Sequence, residues 1–229
     1  MPPTAATNGN VWTTPPSLPA PQAALASAAA PCPPGQSGTC VYALGGVGAT
    51  PGAVGTVMSY NRLTNAWSKL PSLPTSRSAL TAASAPCPSG RAGTCVYAIG
   101  GYNGSVLATV ESYNPATIAW SPVASMTTSH MDLSSAAAPC PRGQTGTCVY
   151  AVGGSVSGGV TASVESFNPV TNAWTTLPSM PTPRSGLAAA SAACPPGETG
   201  TCVYAVGDFG AGGAAVGTLE ALDPPATLD

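Results

Sequence analysis

The chain has 229 residues, and only 6% of them are charged: six Lys or Arg, eight Asp or Glu, with a single histidine at His130. An average soluble domain carries roughly 25%, and a net charge of −2 excludes both the clustered cations that nucleic-acid phosphates require and a polybasic membrane anchor. No apolar run reaches membrane-spanning length, and 229 residues fit one large all-β domain or two small ones.

The opening residues, Met1 to Asn8, have neither a charged leader segment nor an apolar one, so no signal peptide is visible in this chain. Asn10-Val11-Trp12 is then a short strand candidate. The first full unit, about residues 22–67, begins with the small-residue run 24–31 (ALASAAAP) and the pair Cys32/Cys40. It continues with a V-Y-A strand into Gly45-Gly46, a segment at Val57–Asn61, and Trp67.

The second unit, about 77–120, repeats this grammar and shows it most clearly. Ser78–Pro86 is small and apolar, and a turn between Cys87 and Cys95 contains Pro88, Gly90 and Gly93. Cys95–Ile99 is a β-branched and aromatic run ending at Gly100-Gly101. Asn103-Gly104 is a strong hairpin-turn pair. Thr109–Tyr113 alternates, Asn114-Pro115-Ala116-Thr117 turns the chain, and Ala119-Trp120 begins a last strand. The third unit, about 130–174, has Cys140/Cys148, Gly153-Gly154 and Val164–Trp174; the fourth, about 184–223, has Cys194/Cys202 but Gly207-Asp208 in place of the double glycine.

The period is read from two residue types independently. The second cysteines fall at 40, 95, 148 and 202, and the tryptophans at 12, 67, 120 and 174. A fixed interval of this size indicates an array of one supersecondary unit. Each unit contains four short strands separated by Gly/Pro turns, which predicts repeated antiparallel sheets. The prolines and turn spacing outweigh the helix propensity of the alanine-rich runs.

Each cysteine pair sits in the frame C-P-x-G-x-x-G-T-C-V-Y-A, or close to it. Seven intervening residues and one histidine in the chain argue against zinc, whose ligands usually stand two to four apart. The expectation is one disulfide per unit, stapling the first two strands, with no metal and no cofactor. Persistent disulfides imply an oxidising compartment, so a secreted or cell-surface setting is expected, with the leader lying outside this chain.

The double glycine after a V-Y-A-x strand, the segment V-E-S-[Y/F]-N-P-x-T-x-A-W at Val110–Trp120 (and, nearly unchanged, at Val164–Trp174), and the variant at Val57–Trp67 resemble the kelch repeat. The resemblance implies an all-β, kelch-type β-propeller spanning residues 1–229 as one domain, with four blades closed into one ring, the alternatives being two chains paired into an eight-bladed ring or a fragment of a larger propeller. The fourth unit stops before a tryptophan strand, so residues 10–14 are expected to complete it and close the ring. The resemblance also puts the first strand of each unit nearest the axis, where small side chains suit a ring of few blades.

In this family ligands usually meet the face built from inter-blade loops and from the loops joining second and third strands. Aligning the inter-blade loops puts Gln22, Arg77, His130 and Arg184 in one column, with Asp208 near the same face. These are the candidate ligand-binding residues. They form either a polar site, with two guanidinium groups for a carboxylate or sugar acid, or a set of side chains bonding to neighbouring blades.

Residues two apart on a strand point the same way, so His130 and Asp132 form a candidate proton-transfer pair. Glu111, Glu165 and Glu220 recur at one repeat position and read as structural hydrogen-bonders. The function expected first is a non-catalytic extracellular interaction module for a glycan, peptide or protein. The alternatives are an enzyme on a sugar or sugar acid using His130 and Asp132, and a structural, self-assembling surface protein. A homo-oligomer is among the expected partners.

Overall fold

The computed structural model describes residues 13–223. Among them there is no helix, and the strands group into four blades. The first blade is β1 (Ala26–Pro31), β2 (Thr39–Leu44), β3 (Val57–Asn61) and β4 (Ala66–Leu70); the second is β5 (Thr81–Pro86), β6 (Thr94–Ile99), β7 (Val110–Asn114) and β8 (Ala119–Val123). The third contains β9 (Ser134–Pro139), β10 (Thr147–Val152), a two-stranded ribbon of β11 (Ser155–Val156) and β12 (Gly159–Val160), then β13 (Val164–Asn168) and β14 (Ala173–Leu177). In the fourth, the short β15 (Arg184–Ser185) pairs with β18 (Phe209–Gly210), while β16 (Ala188–Ala193), β17 (Thr201–Val206) and β19 (Leu219–Leu222) form its sheet.

Every blade is an antiparallel meander in which strand order follows chain order. The expected disulfides Cys32–Cys40, Cys87–Cys95, Cys140–Cys148 and Cys194–Cys202 all form, with Cα–Cα distances of 4.8–4.9 Å. Each crosses the turn between the first two strands of its blade. A tyrosine reinforces the same hairpin: the hydroxyls of Tyr42, Tyr97, Tyr150 and Tyr204 donate to the carbonyls of Pro31, Pro86, Pro139 and Ala193.

The core lies between blades. Tyr42, Leu44 and Val57 of the first blade meet Val96, Ala98 and Tyr113 of the second; Tyr97, Ile99 and Val110 meet Val149, Ala151 and Phe167; Tyr150, Val152 and Val164 meet Val203 and Ala205. Alternation explains this, because successive residues of a strand face opposite neighbours. Trp120 and Trp174 pin the outer edge by donating to the carbonyls of Pro71 and Ala124.

The first strands β1, β5, β9 and β16 stand side by side at the axis, as expected from their small residues, and a channel lined by alanines and serines runs between them. At one end a ladder joins the blades: Ala79, Asp132 and Gly186 each donate their N–H to the carbonyl of Ala24, Ala79 and Asp132 respectively. All four residues have positive φ, from 50° to 74°.

The edge between the fourth and first blades differs from the other three junctions. Val57, Val110 and Val164 are at most 3% exposed, whereas Leu219, at the same repeat position, is 62% exposed. On the opposite side Val41 is 46% exposed, although its counterparts Val96, Val149 and Val203 are buried. The strand expected at residues 10–14 to complete the fourth blade lies outside the described residues at Asn10–Trp12, and Thr13 and Thr14 are outside any strand.

Candidate functional site

The loop column of Gln22, Arg77, His130 and Arg184 sits where the chain enters each blade. Its main-chain carbonyls hold adjacent blades together: those of Arg77, His130 and Arg184 accept from the N–H of Gly46, Gly101 and Gly154. That approach requires the double glycine. A Cβ on Gly45 or Gly100 would lie 2.4 Å from the Arg77 carbonyl oxygen or 2.6 Å from that of His130, and both glycines have positive φ.

The side chains turn back into their own blade. Arg77 is fully buried; its Nη1 donates to the carbonyls of Gly100 and Thr109, and its Nη2 lies 3.2 Å from Glu111. Burial pushes its pKa down, and Glu111 opposes that. Arg184 repeats the arrangement with Thr218 and with Glu220 at 2.6 Å.

His130 occupies the same place with a shorter side chain. Its Nδ1 donates to the Gly153 carbonyl at 2.9 Å, and its Nε2 lies 3.4 Å from Ser163 Oγ and 3.8 Å from Glu165. Burial acts to raise the Glu165 pKa, but hydrogen bonding from His130, Thr127 and Thr128 outweighs it and holds the carboxyl below its ordinary range. The reading of Glu111, Glu165 and Glu220 as structural hydrogen-bonders matches these contacts.

The structure does not bring Arg77, Arg184 and His130 to one open pocket. Each faces a glutamate of its own blade, so the polar site with two guanidinium groups is not the geometry found. His130 and Asp132 do not form a pair either. Asp132 has a φ of 52°, so the strand rule that aligns alternate residues fails there, and the carboxylate facing His130 is Glu165.

In the first blade both members of the pair are replaced: Gln22 stands at the arginine position and Met58 at the glutamate position. Gln22 instead lines a surface cavity of about 410 Å³ with Leu18, Met58, Trp67 and Lys69. The pattern across repeats, Arg with Glu, His with Glu, Arg with Glu, then Gln with Met, is the sequence signal that identifies the column as a structural pair.

What does lie open is the mouth of the axis at the ladder end. A cavity of about 180 Å³ there is lined by Ala24, Ala79, Asp132 and Gly186 with the leucines behind them. Asp132 is exposed, and Asp208 is half-buried with its carboxylate against Gly186. Partial burial of its carboxyl raises the Asp132 pKa, and the like charge of Asp208 adds to it.

Around this mouth stand the residues that follow each double glycine or its Gly-Asp equivalent: Val47, Tyr102, Ser155 and Phe209. Each bridges back to the blade entry, at Ala23, Ser78, Met131 and Ser185. Tyr102 is 41% exposed and Phe209 53%. Cys194, Glu198 and Cys202 also come together, but both sulfurs are committed to the disulfide bond, which removes them as metal-ligating thiolates.

A family model described as the kelch motif matches residues 28–74, 83–127 and 143–181, more than half of the chain. The chain belongs to the kelch-repeat family. Among solved structures it is similar to one titled "Structure of YjhT", at 14% identity and a TM-score of 0.59, covering 92% of this chain and 84% of that one. At that identity the likeness concerns the kelch propeller fold alone. The match begins inside the first strand of the first kelch unit and leaves the Gly207-Asp208 unit unmatched, in keeping with that unit's departure from the double glycine.

Proposed function

We propose that this kelch propeller is an extracellular binding module that recognises a glycan, peptide or protein through the axis mouth and its surrounding loops. One observation carries the reading. The four units repeat their cysteines, tyrosines and blade-entry contacts, yet differ at the position after the glycines, where half-buried Val47 and Ser155 alternate with exposed Tyr102 and Phe209. Loops on a repeated scaffold are where binding residues concentrate.

Two exposed aromatic rings supply flat apolar surface with a polar handle on Tyr102. Asp132 and Asp208 supply hydrogen-bond acceptors for hydroxyl groups or for a cationic side chain. The four disulfides support an extracellular setting. The enzyme reading is weaker, because His130 is 3% exposed and its ring is engaged by Gly153, leaving no geometry in which it shares a substrate proton with Asp132.

The test is a screen of the disulfide-intact chain against glycan and peptide arrays, repeated with Tyr102→Ala/Phe209→Ala. The reading requires that the double variant lose the captured ligands while keeping its thermal stability. Capture that survives the double variant would place recognition elsewhere.

A further inference from the structure

The edge between the fourth and first blades is built from two half-interfaces that the rest of the molecule shows how to complete. At each packed junction, the first glycine of one blade closes on the entry loop of the next. A Cβ on Gly45, Gly100 or Gly153 would meet a carbonyl oxygen at 2.4–2.6 Å and a leucine at 3.1–3.2 Å. At Gly207 the nearest atom is the Val216 carbonyl oxygen of its own blade, at 3.5 Å.

The axial ladder stops in the same place. Ala79, Asp132 and Gly186 each receive a partner from the preceding blade, while among the described residues the rung from Ala24 to Gly186 is not formed. Val206 and Leu219 on one side and Val41 on the other are 45%, 62% and 46% exposed, and their repeat counterparts are buried. A cavity of about 230 Å³ opens beside β19, lined by Pro178, Met180, Ala221 and Leu222. Trp120 and Trp174 occupy the equivalent place in their blades, donating to the residues that correspond to Pro178.

We infer that a second copy of this chain docks head to tail at this edge, its first blade packing on the fourth blade of its neighbour. The fit is the one already seen between the third and fourth blades, because the exposed faces present the same repeat positions. Charge favours the same pairing. Residues 22–70 carry Arg62 and Lys69 and no carboxylate, whereas residues 184–223 carry Glu198, Asp208, Glu220 and Asp223 against Arg184 alone.

Pro16 is tied to the first blade, since Trp67 donates to its carbonyl. A head-to-tail junction is heterologous: two copies close a ring if the rotation allows, and otherwise grow into a longer chain of blades. Either form contains this junction.

The experiment is light scattering and native mass spectrometry of the full non-reduced chain across micromolar concentrations, with Leu219→Glu and Val41→Glu as single variants. Both positions are solvent-exposed in the single chain, so each variant folds. The wild type is expected to populate dimer or longer species that dissociate on dilution and with added salt. Each variant alone is expected to lose association at least tenfold. Mixing them regenerates one intact junction, so a heterodimer reappears.

A wild type that stays monomeric at every concentration overturns the inference. So does a mixture that behaves as its components do. A monomer in which Leu219→Glu sharply lowers the melting temperature also overturns it, by showing that the chain seals this edge on itself.

Discussion

Arg77 and Glu111 form an ion pair with Nη2 and Oε2 3.2 Å apart and both side chains buried. Removing one member of such a pair leaves an unpaired charge away from water. Arg77→Ala is therefore expected to cost about 3–5 kcal/mol in chemical denaturation. The first blade shows the alternative: Gln22 and Met58 replace both members at once. The double variant Arg77→Gln/Glu111→Met is expected to cost less than the single one, and a denaturant double-mutant cycle measures the difference.

Glu165 gives the fold an acid-sensitive contact. Its folded pKa lies below the unfolded value, so its contribution is present above the ordinary carboxylate range and lost as pH falls through the lowered value. Glu165→Gln is expected to flatten the acid limb of stability against pH, below about pH 4, relative to wild type. Thermal melts between pH 3 and pH 7 check this.

Asp132 works in the opposite sense. Its raised pKa means the fold prefers the protonated form, so the charged carboxylate weakens stability as pH rises through that value. Asn keeps the shape and tolerates the left-handed backbone at this position. Asp132→Asn is expected to raise the melting temperature at pH 7 and to lose that advantage in acid. An unchanged melting temperature at both pH values would show that the axis mouth imposes no cost on this charge.

Each disulfide closes a short loop, with the cysteines eight positions apart. Chain entropy assigns each about 2–3 kcal/mol. Cys140→Ala/Cys148→Ala should lower the denaturation midpoint by that free energy while leaving the propeller folded, since its hairpin keeps the Tyr150 bond to Pro139. Loss of all strand signal on removing this one bridge would mean that the blades cannot form independently.

The fold was legible because every blade restates it. Cysteine pairs and V-Y-A strands mark all four units, double glycines and Asn-centred turns mark three of them, and rules repeated this often leave few topologies. The candidate site was less so. Arg77, His130 and Arg184 are scarce charges in loops, the usual profile of functional residues, and their glutamate partners lie more than thirty positions onward.

Repeat comparison contains the missing signal, since the glutamate is absent from the one unit that lacks the cation. His130 and Asp132 misled for a backbone reason. A left-handed residue at 132 interrupts the alternation, and alanine, aspartate and glycine at that column give no uniform sequence mark of it. Tyr102 and Phe209 each follow a glycine pair or its Gly-Asp equivalent in the sequence, but only the blade geometry sets them around one mouth.

The most direct measurement is a binding titration of one captured ligand against two variants side by side. Tyr102→Ala/Phe209→Ala is expected to weaken affinity at least tenfold with an unchanged melting temperature. Arg77→Gln/Glu111→Met is expected to bind as wild type once the folded fraction is matched. The reverse pattern, with affinity lost through the buried pair and retained without the two rings, would contradict a loop-face binding module built on a structural Arg–Glu scaffold.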